Sequence, residues 1–200
     1  MDVKTFENLP EEKRLSILSA GILCFGRNGY EKTSISDIAK KAGISKPAVF
    51  HYFGTKQDLF LYLIKYVRKK LEAVLIEGTE DYFESLELYL KIQFQLISKH
   101  PGMYEFMRLA NEPKEIEGFE AIDRFISEYT ENDVDKVFAH VNWTKFHDNL
   151  DQMTIINMTT WVGNGCLTRL EKKCPPDEMF AELTRYLTIL KTSLYKAEYL

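Results

Sequence analysis

Apolar residues recur at intervals of three and four along most of the chain, and this spacing predicts α-helices rather than strands. The first helix is predicted over residues 10–28, and Gly29 is expected to end it. A later helix is predicted from Lys56 to near Gly78, where apolar residues alternate at spacings of four and three. No segment has a convincing strand pattern, so we predict an all-α chain of about nine helices.

The second half of the chain shows the same helical spacing, interrupted by breaks that contain proline or glycine. Helices are predicted over residues 80–99, 103–110, 116–141, 151–173 and 176–199, with a loop over residues 142–149. We find neither internal repeats nor low-complexity linkers. The expected organisation is a small N-terminal domain over residues 9–71 and a helical C-terminal domain over residues 72–200.

Residues 34–53 predict two short helices joined by a tight turn. Ser34 is a preferred N-cap, and Asp37 three residues later can complete a capping box. Gly43 suits the left-handed position that ends a helix, and Ser45 caps the second helix. This is the pattern of a helix-turn-helix, whose second helix lies in the major groove of DNA.

The second helix of the pair, over residues 46–52, is expected to face the core through Val49, with Phe53 just beyond it. Its other side chains are expected to face outward. The candidate DNA-binding residues are Thr33, Ser34, Ser36, Lys46, Pro47, Ala48, His51, Tyr52 and Lys56. The alternative is a capped helical corner whose polar side chains are only solvated.

Different roles are expected within this set. Lys46 can donate to guanine acceptors, and Pro47 can contact a thymine methyl group. Tyr52 and Lys56 suit phosphate contacts, which position a protein on DNA without reading its sequence.

Residues 9–71 resemble the DNA-binding domain of the TetR (tetracycline-repressor-type) family of bacterial regulators. The resemblance rests on Phe25, Gly29, Tyr30, Thr33, Ile38, Ala39, Ala42, Gly43, Ile44, Ser45, Phe50, His51, Tyr52, Phe53, Lys56, Leu59 and Phe60. Phe50 stands where the family more often has Tyr, which removes a phenolic phosphate contact. The resemblance implies a DNA-binding regulator with a C-terminal helical bundle that encloses an effector pocket.

The distribution of charge fits a DNA-binding module attached to an acidic body. The whole chain has a formal net charge of −4. Residues 1–70 hold 13 Lys and Arg against 7 Asp and Glu, a net of +6, whereas the rest holds 13 against 23, a net of −10. A basic segment of this kind favours contact with a polyanion.

Aromatic and methionine residues in the C-terminal domain are the candidates for an effector pocket. The residues chosen are Tyr89, Met103, Tyr104, Met107, Phe125, Tyr129, Asn157 and Trp161. An apolar cavity with a few polar groups is the usual form of a small-molecule site. Periodicity alone equally allows these side chains to fill a core.

The last two predicted helices are the candidates for a dimer interface. Small residues and a long apolar stripe allow two copies to pair around a two-fold axis. The residues chosen are Gly163, Leu167, Leu170, Leu183, Leu187 and Leu190. Burial within one chain is the alternative.

Other classes of function lack support in the sequence. No phosphate-binding glycine loop, nucleophile elbow or metalloprotease motif is present, so we expect no enzymatic activity, no metal and no cofactor. The three cysteines are widely spaced, which favours reduced thiols, with a redox role for Cys166 and Cys174 as the alternative. Without a long apolar run or a signal peptide, the protein is expected in the cytoplasm, away from membranes.

The sequence therefore predicts a homodimeric, ligand-responsive repressor that binds a pseudo-palindromic DNA operator and is released by a small apolar or aromatic effector. The alternative is a constitutive helix-turn-helix DNA-binding protein, or a protein-interaction module, without an effector.

Overall fold

The computed structural model describes residues 2–75, 79–111, 138–167 and 175–200. Its α-helices are α1 (Val3–Glu7), α2 (Glu11–Lys32), α3 (Ile35–Ala42), α4 (Lys46–Phe53), α5 (Lys56–Leu75), α6 (Tyr82–Lys99), α7 (Met103–Asn111), α8 (Gln152–Leu167) and α9 (Pro176–Leu194). Short 3₁₀ turns cover Trp143–Lys145 and Ala197–Tyr199. Across these described ranges the chain forms helices and no strand, which confirms the predicted all-α fold.

The described helices differ from the predicted elements in three places, namely the presence of α1 and the ends of α2 and α9. Helix α1 was not predicted, and most of the helix predicted over residues 116–141 lies outside the described residues. Helix α9 ends at Leu194, five residues before the predicted end, because Tyr195 is extended and forms an isolated antiparallel bridge with Phe146. Helix α2 continues to Lys32, four residues beyond the predicted end at residue 28, although Gly29 interrupts it with a φ of 74° that L-residues rarely adopt.

The chain divides into two compact units. The first comprises Met1–Lys69 and Leu96–Thr130, and the second comprises Lys70–Gln95 and Glu131–Leu200. The predicted boundary near residue 71 falls within α5 and stays a prediction. Among the described residues, no helix combines the length and the apolar character that a membrane span requires.

The first unit has its core between α2, α3, α5 and α7. Fully buried residues of this core are Ile17, Ile22, Phe25, Ile38, Leu59, Phe60 and Leu63. Burial of such side chains stabilises each by roughly 1.5–3 kcal/mol relative to exposure. This shared apolar core fixes α3 against the longer helix α2.

Two glycines let α7 approach α2 closely within the first unit. A Cβ atom placed on Gly26 would lie 2.3 Å from the carbonyl oxygen of Gly102. Gly102 itself has a φ of 82°, and Ser19 on α2 is hydrogen-bonded to Nδ1 of the buried His100 at 2.8 Å. Glycine is therefore required at both positions, by close approach at one and by backbone conformation at the other.

The second unit is organised around the buried carboxylate of Asp81 at the start of α6. Its Oδ1 atom accepts the amide N–H groups of Phe83 and Glu84 at 3.0 and 3.2 Å, as an N-cap does. Its Oδ2 atom lies 3.0 Å from Nζ of Lys191 on α9 and 3.4 Å from Nζ of Lys145. One side chain thus connects the first helix of the unit to its last.

An aromatic cluster lies beside this carboxylate. The hydroxyl of the buried Tyr195 accepts the amide N–H of Tyr82 at 3.2 Å, and the Tyr82 hydroxyl is hydrogen-bonded to Thr159 on α8 at 2.6 Å. Burial raises the pKa of Tyr82 to about 12, so this hydroxyl remains a neutral partner at every physiological pH. Phe146 packs edge-on against Tyr195 with ring centroids 4.7 Å apart.

We expect Asp81→Asn to lower the free energy of unfolding at pH 7 by about 2 kcal/mol, because Lys191 and Lys145 lose their partly buried anionic partner. Burial by itself would raise the pKa of Asp81, but hydrogen bonds from Lys191 and the Glu84 amide and the lysine charges lower it. The contribution is therefore present above the unfolded carboxyl pKa of about 3.9 and is lost as pH falls through the lower folded pKa.

Urea unfolding of the wild type and the variant at pH 7 and in acid measures this difference, which should shrink in acid. Asp151→Asn is the matched control, since Asp151 accepts the amide N–H of Thr154 at the start of α8 but is fully exposed. Its substitution should have the smaller effect at pH 7. Equal losses for the two variants would contradict the role assigned to Asp81.

Candidate nucleic-acid interface

The sequence from Ser34 to Ala42 forms α3 because its ends are capped as predicted. The Ser34 hydroxyl accepts the amide N–H of Asp37 at 3.1 Å and donates to the Asp37 carboxylate at 2.6 Å. Ile38, Ala39 and Ala42 are buried on one face of the helix. Ser34 and Ser36 are exposed at its N-terminal end, where backbone N–H groups and the helix dipole favour phosphate.

The turn between α3 and α4 is fixed by Gly43. This residue has a φ of 67° and a ψ of 31°, the left-handed conformation that glycine tolerates best. Its amide donates to the carbonyl of Lys40, and the amide of Ile44 donates to the carbonyl of Ala39 at 3.0 Å. These two hydrogen bonds form a Schellman motif, which sets the direction in which α4 leaves the turn.

Helix α4 presents a mixed polar and apolar surface above a buried face. Val49 and Phe53 are 1% and 0% exposed, which confirms the predicted inward face. The exposed side chains of the helix are Lys46, Pro47, Phe50 and His51, while Ala48 and Tyr52 are half-buried. Such a face offers hydrogen-bond donors and apolar groups together, as contact with base edges requires.

Phe50 is a surface residue that the predicted set omitted. It is 41% exposed, and Nζ of Lys46 one turn earlier lies 5.9 Å from the centroid of its ring. A phenylalanine at this place can contact a thymine methyl group. Its spacing of four residues from Lys46 was the available signal.

Thr33 is corrected from a DNA-binding residue to a structural one. Its side chain is buried, and its hydroxyl donates to the carbonyl oxygens of Cys24 at 2.9 Å and Gly29 at 2.7 Å. A buried hydroxyl engaged by two carbonyls of α2 is not available to a phosphate.

Lys56 lies at the start of α5 and holds the end of α2. Its Nζ atom donates to the carbonyl oxygens of Tyr30 at 3.0 Å and Glu31 at 3.3 Å, and it lies 4.3 Å from the centroid of the Tyr30 ring. An ammonium group has three donors, so these contacts leave one N–H for a phosphate. A structural role therefore accompanies the predicted phosphate contact.

The residues predicted to line an effector pocket fall in both compact units. On α7 in the first unit, Met103 is buried and Tyr104 and Met107 are half-buried, while Tyr89 on α6 belongs to the second unit. Asn157 and Trp161 are exposed on α8, which removes them from the lining of a closed pocket. Phe125 and Tyr129 lie outside the described residues.

The residues predicted to form a dimer interface require a correction as well. Leu183 and Leu187 are 0% and 4% exposed and pack into the core of their own unit, and Gly163 is also buried. Leu167 and Leu190 are half-buried, and Leu170 lies outside the described residues. The apolar stripe on α9 therefore faces inward.

A different face of α8 and α9 is apolar and exposed. Trp161 is 71% exposed, Met153 63% and Ile189 55%. An open groove of about 440 Å³ is lined by Trp161, Val162, Gly165, Cys166, Glu182, Tyr186, Ile189 and Leu190. Large apolar side chains grouped in this way are uncommon on a monomer surface and indicate an interaction site. Cys166, one of the two cysteines with a predicted alternative redox role, is buried, and Cys174 lies outside the described residues.

Comparison with known proteins finds a family whose profile matches part of the first unit. A family profile described as "Bacterial regulatory proteins, tetR family" matches residues 17–63, the segment that contains α3, the turn and α4. Bacillus subtilis (strain 168) regulator YdgC is 33% identical over 95 residues, which cover 44% of this chain and 49% of YdgC. The Corynebacterium glutamicum repressor AcnR is 34% identical over 69 residues, which cover 34% of this chain and 37% of AcnR. The chain thus spans about half or less of these relatives.

The likeness extends over the whole fold in solved structures. The crystal structure of a TetR family transcriptional regulator from Chloroflexus aurantiacus J-10-FL is 25% identical to this chain, with a TM-score of 0.62. The match covers 98% of this chain and 99% of that one. The profile describes regulators rather than enzymes, which agrees with the expectation of no enzymatic activity. Residues 17–63 thus match the tetR family of bacterial regulatory proteins, and the fold of the chain is similar to that of a TetR family transcriptional regulator.

Proposed function

We propose that the chain is a ligand-responsive, sequence-specific DNA-binding regulator of transcription that acts as a homodimeric repressor in the cytoplasm. The observation that carries the proposal is the exposed face of α4. Lys46, Pro47, Phe50 and His51 are exposed on a helix whose opposite face is buried, at the place where a helix-turn-helix reads the major groove. The net charge of +6 on residues 1–70 supports association with DNA.

The exposed face of α8 and α9 supports pairing with a second copy. A two-fold interface requires a self-complementary patch, and the groove beside Trp161 provides both a protruding ring and an apolar recess. Two recognition helices read two half-sites of a pseudo-palindromic operator, which raises affinity and specificity over one short helix. The dimer is therefore part of the proposed DNA-binding mechanism.

Repression and release by an effector complete the proposal. AcnR, one of the relatives, is named a repressor. The core of the second unit is rich in aromatic side chains, and a half-buried polar pair involves Tyr89, which packs against it, since Nε2 of Gln93 donates to the Tyr89 hydroxyl at 3.2 Å. A small apolar or aromatic effector bound in the helical body would favour one disposition of α5 and so change the separation of the recognition helices.

The alternative is a constitutive DNA-binding protein or a protein-interaction module without an effector. Native mass spectrometry of the purified chain distinguishes these possibilities, because a co-purified small molecule that weakens DNA binding supports the effector. A purified chain whose operator affinity responds to none of the bound or added apolar compounds contradicts it.

Lys46 and Lys56 provide a matched test of base reading, since Met at either position removes one charge. We expect Lys46→Met to lose about 1–3 kcal/mol of binding free energy on a duplex selected from a random pool, and to relax the sequence preference. Lys56→Met should weaken binding to every duplex and reduce the salt slope by about one. It should also lower the free energy of unfolding by about 1 kcal/mol, because two charged hydrogen bonds are lost.

Fluorescence anisotropy at several salt concentrations measures the affinity of each variant for selected and unselected duplexes and its salt slope. Urea unfolding measures the stability change of Lys56→Met. Equal losses on all sequences after Lys46→Met would count against base reading by this side chain. A wild-type chain that selects no sequence from the pool would refute sequence-specific binding itself.

For the dimer, we expect Trp161→Glu to weaken self-association at least about 100-fold, because a buried tryptophan is a typical hot spot and the two-fold axis repeats the change. Sedimentation velocity over a concentration series measures the effect. Gln95→Glu, an exposed position on α6 in the same unit, is the control and should leave the dimer intact. Identical sedimentation of the two variants would place the interface elsewhere.

A further inference from the structure

Helix α4 ends without enough backbone donors of its own. It is eight residues long, and the carbonyl groups of the last turn of any helix have no partner within that helix. The amide of Gly54 donates to the carbonyl of Phe50 at 2.8 Å, and the amide of Thr55 donates to that of Phe53 at 3.0 Å. The carbonyl of His51 needs a donor from outside this segment.

Helix α1 supplies that donor. The amide N–H of Asp2 donates to the carbonyl oxygen of His51 at 3.1 Å. His51 is exposed and belongs to the candidate DNA-binding face, so this hydrogen bond holds the backbone directly beneath a residue expected to contact DNA. It joins the N-terminal end of the chain to the C-terminal turn of α4.

The side chain of Phe6 supports the same turn by packing. Phe6 is 1% exposed, and its ring centroid lies 4.8 Å from that of Phe53 and 5.9 Å from that of Tyr52. Tyr62 on α5 meets it edge-on at 5.4 Å. The ring of Tyr52, a predicted phosphate contact, thus packs against the rings of Phe6 on α1 and Phe53 in the core.

Helix α1 is itself fixed at both ends. The Asp2 carboxylate accepts the amide N–H of Thr5 at 3.0 Å and its hydroxyl at 2.5 Å, and these hydrogen bonds lower the pKa of Asp2. At the other end, the Arg14 guanidinium donates to the carbonyl of Glu7 at 2.6 Å. A five-residue helix would not persist alone, so these contacts are what allow it to act as a support.

From these contacts we infer that α1, through Phe6 and the Asp2 amide, is a positioning element that holds the C-terminal turn of α4 in the geometry needed to read a base sequence. The inference rests on the proposed DNA-binding function. The family profile begins at residue 17, so it does not include this element. Phe6 acts through Tyr52 and His51 and does not itself contact DNA.

The test compares binding of the full chain to a duplex selected by the wild type from a random pool with binding to the unselected pool. Phe6→Ala should lower the ratio of the two affinities about tenfold, the effect of weakening about one base contact, while the salt slope stays unchanged. The milder Phe6→Leu should retain part of the preference. Phe106→Ala, which removes an equally buried ring from α7, should lower stability but keep the ratio.

Lys4→Gln separates support from direct contact with DNA, because Lys4 is exposed on the same helix. We expect it to leave both the ratio and the salt slope as in the wild type. A slope reduced by about one would make α1 a phosphate-binding arm and overturn the inference, and so would a wild-type ratio in Phe6→Ala. A wild type that selects no duplex would instead refute the proposed function.

Amide hydrogen exchange in the absence of DNA provides a second measurement if Phe6→Ala folds poorly. In Phe6→Leu, the Gly54 amide at the end of α4 should exchange faster, whereas the Gly43 amide at the end of α3 should not change. Equal acceleration at both amides, or none at either, would overturn the inference, because a support specific to α4 predicts a local effect.

Discussion

A helix of eight residues does not keep its shape in water by itself, because the cost of nucleation exceeds the gain from so few backbone hydrogen bonds. Helix α4 has this length, so its geometry depends on the rest of the first unit. Val49 and Phe53 fix its inner face, and Ser45 caps its start. Since base edges are read only by side chains held in register with them, much of the core serves to hold one short helix.

The second unit meets a different requirement, which is to present two helices as one rigid surface. The Asp81 carboxylate caps α6 and pairs with Lys191 on α9, so a single buried group fixes helices far apart in the sequence. Tyr82 reaches Thr159 on α8 from the same place. With α8 and α9 both fixed from inside, Trp161 and Ile189 can present the constant shape that the proposed dimer requires.

Features encoded over a few neighbouring residues could be predicted from the sequence. The Ser34 cap, the left-handed Gly43 and the buried positions of Val49 and Phe53 follow from local rules and were confirmed. The orientation of α9 could not be predicted in this way, because its residues are apolar on more than one side. Leu183 and Leu187 were expected at an interface, yet both are buried in the core of their own unit, whereas Ile189 is exposed.

Two further sequence predictions were wrong because contacts between distant residues, which local patterns do not show, decide the outcome. Thr33 was assigned to DNA by its place before α3, but its hydroxyl is buried against carbonyls of α2. Helix α1 was missed because five residues give no periodic signal, and its one large apolar side chain, Phe6, gains meaning only from partners in α4 and α5. Local patterns therefore reveal the motif, whereas its support depends on distant residues.

The helix-turn-helix and the helix α1 that supports it lie in different parts of the sequence, and the family profile covers only the first of these. The profile covers residues 17–63, and so includes the cap, the turn and α4, but not the Asp2 amide that meets the carbonyl of His51. Every helix end needs a donor or a water molecule for its last carbonyls, and each choice holds the terminal turn to a different degree. Two chains with the same helix-turn-helix sequence can thus hold it with different firmness. Sequence preference then depends on residues that never touch a base.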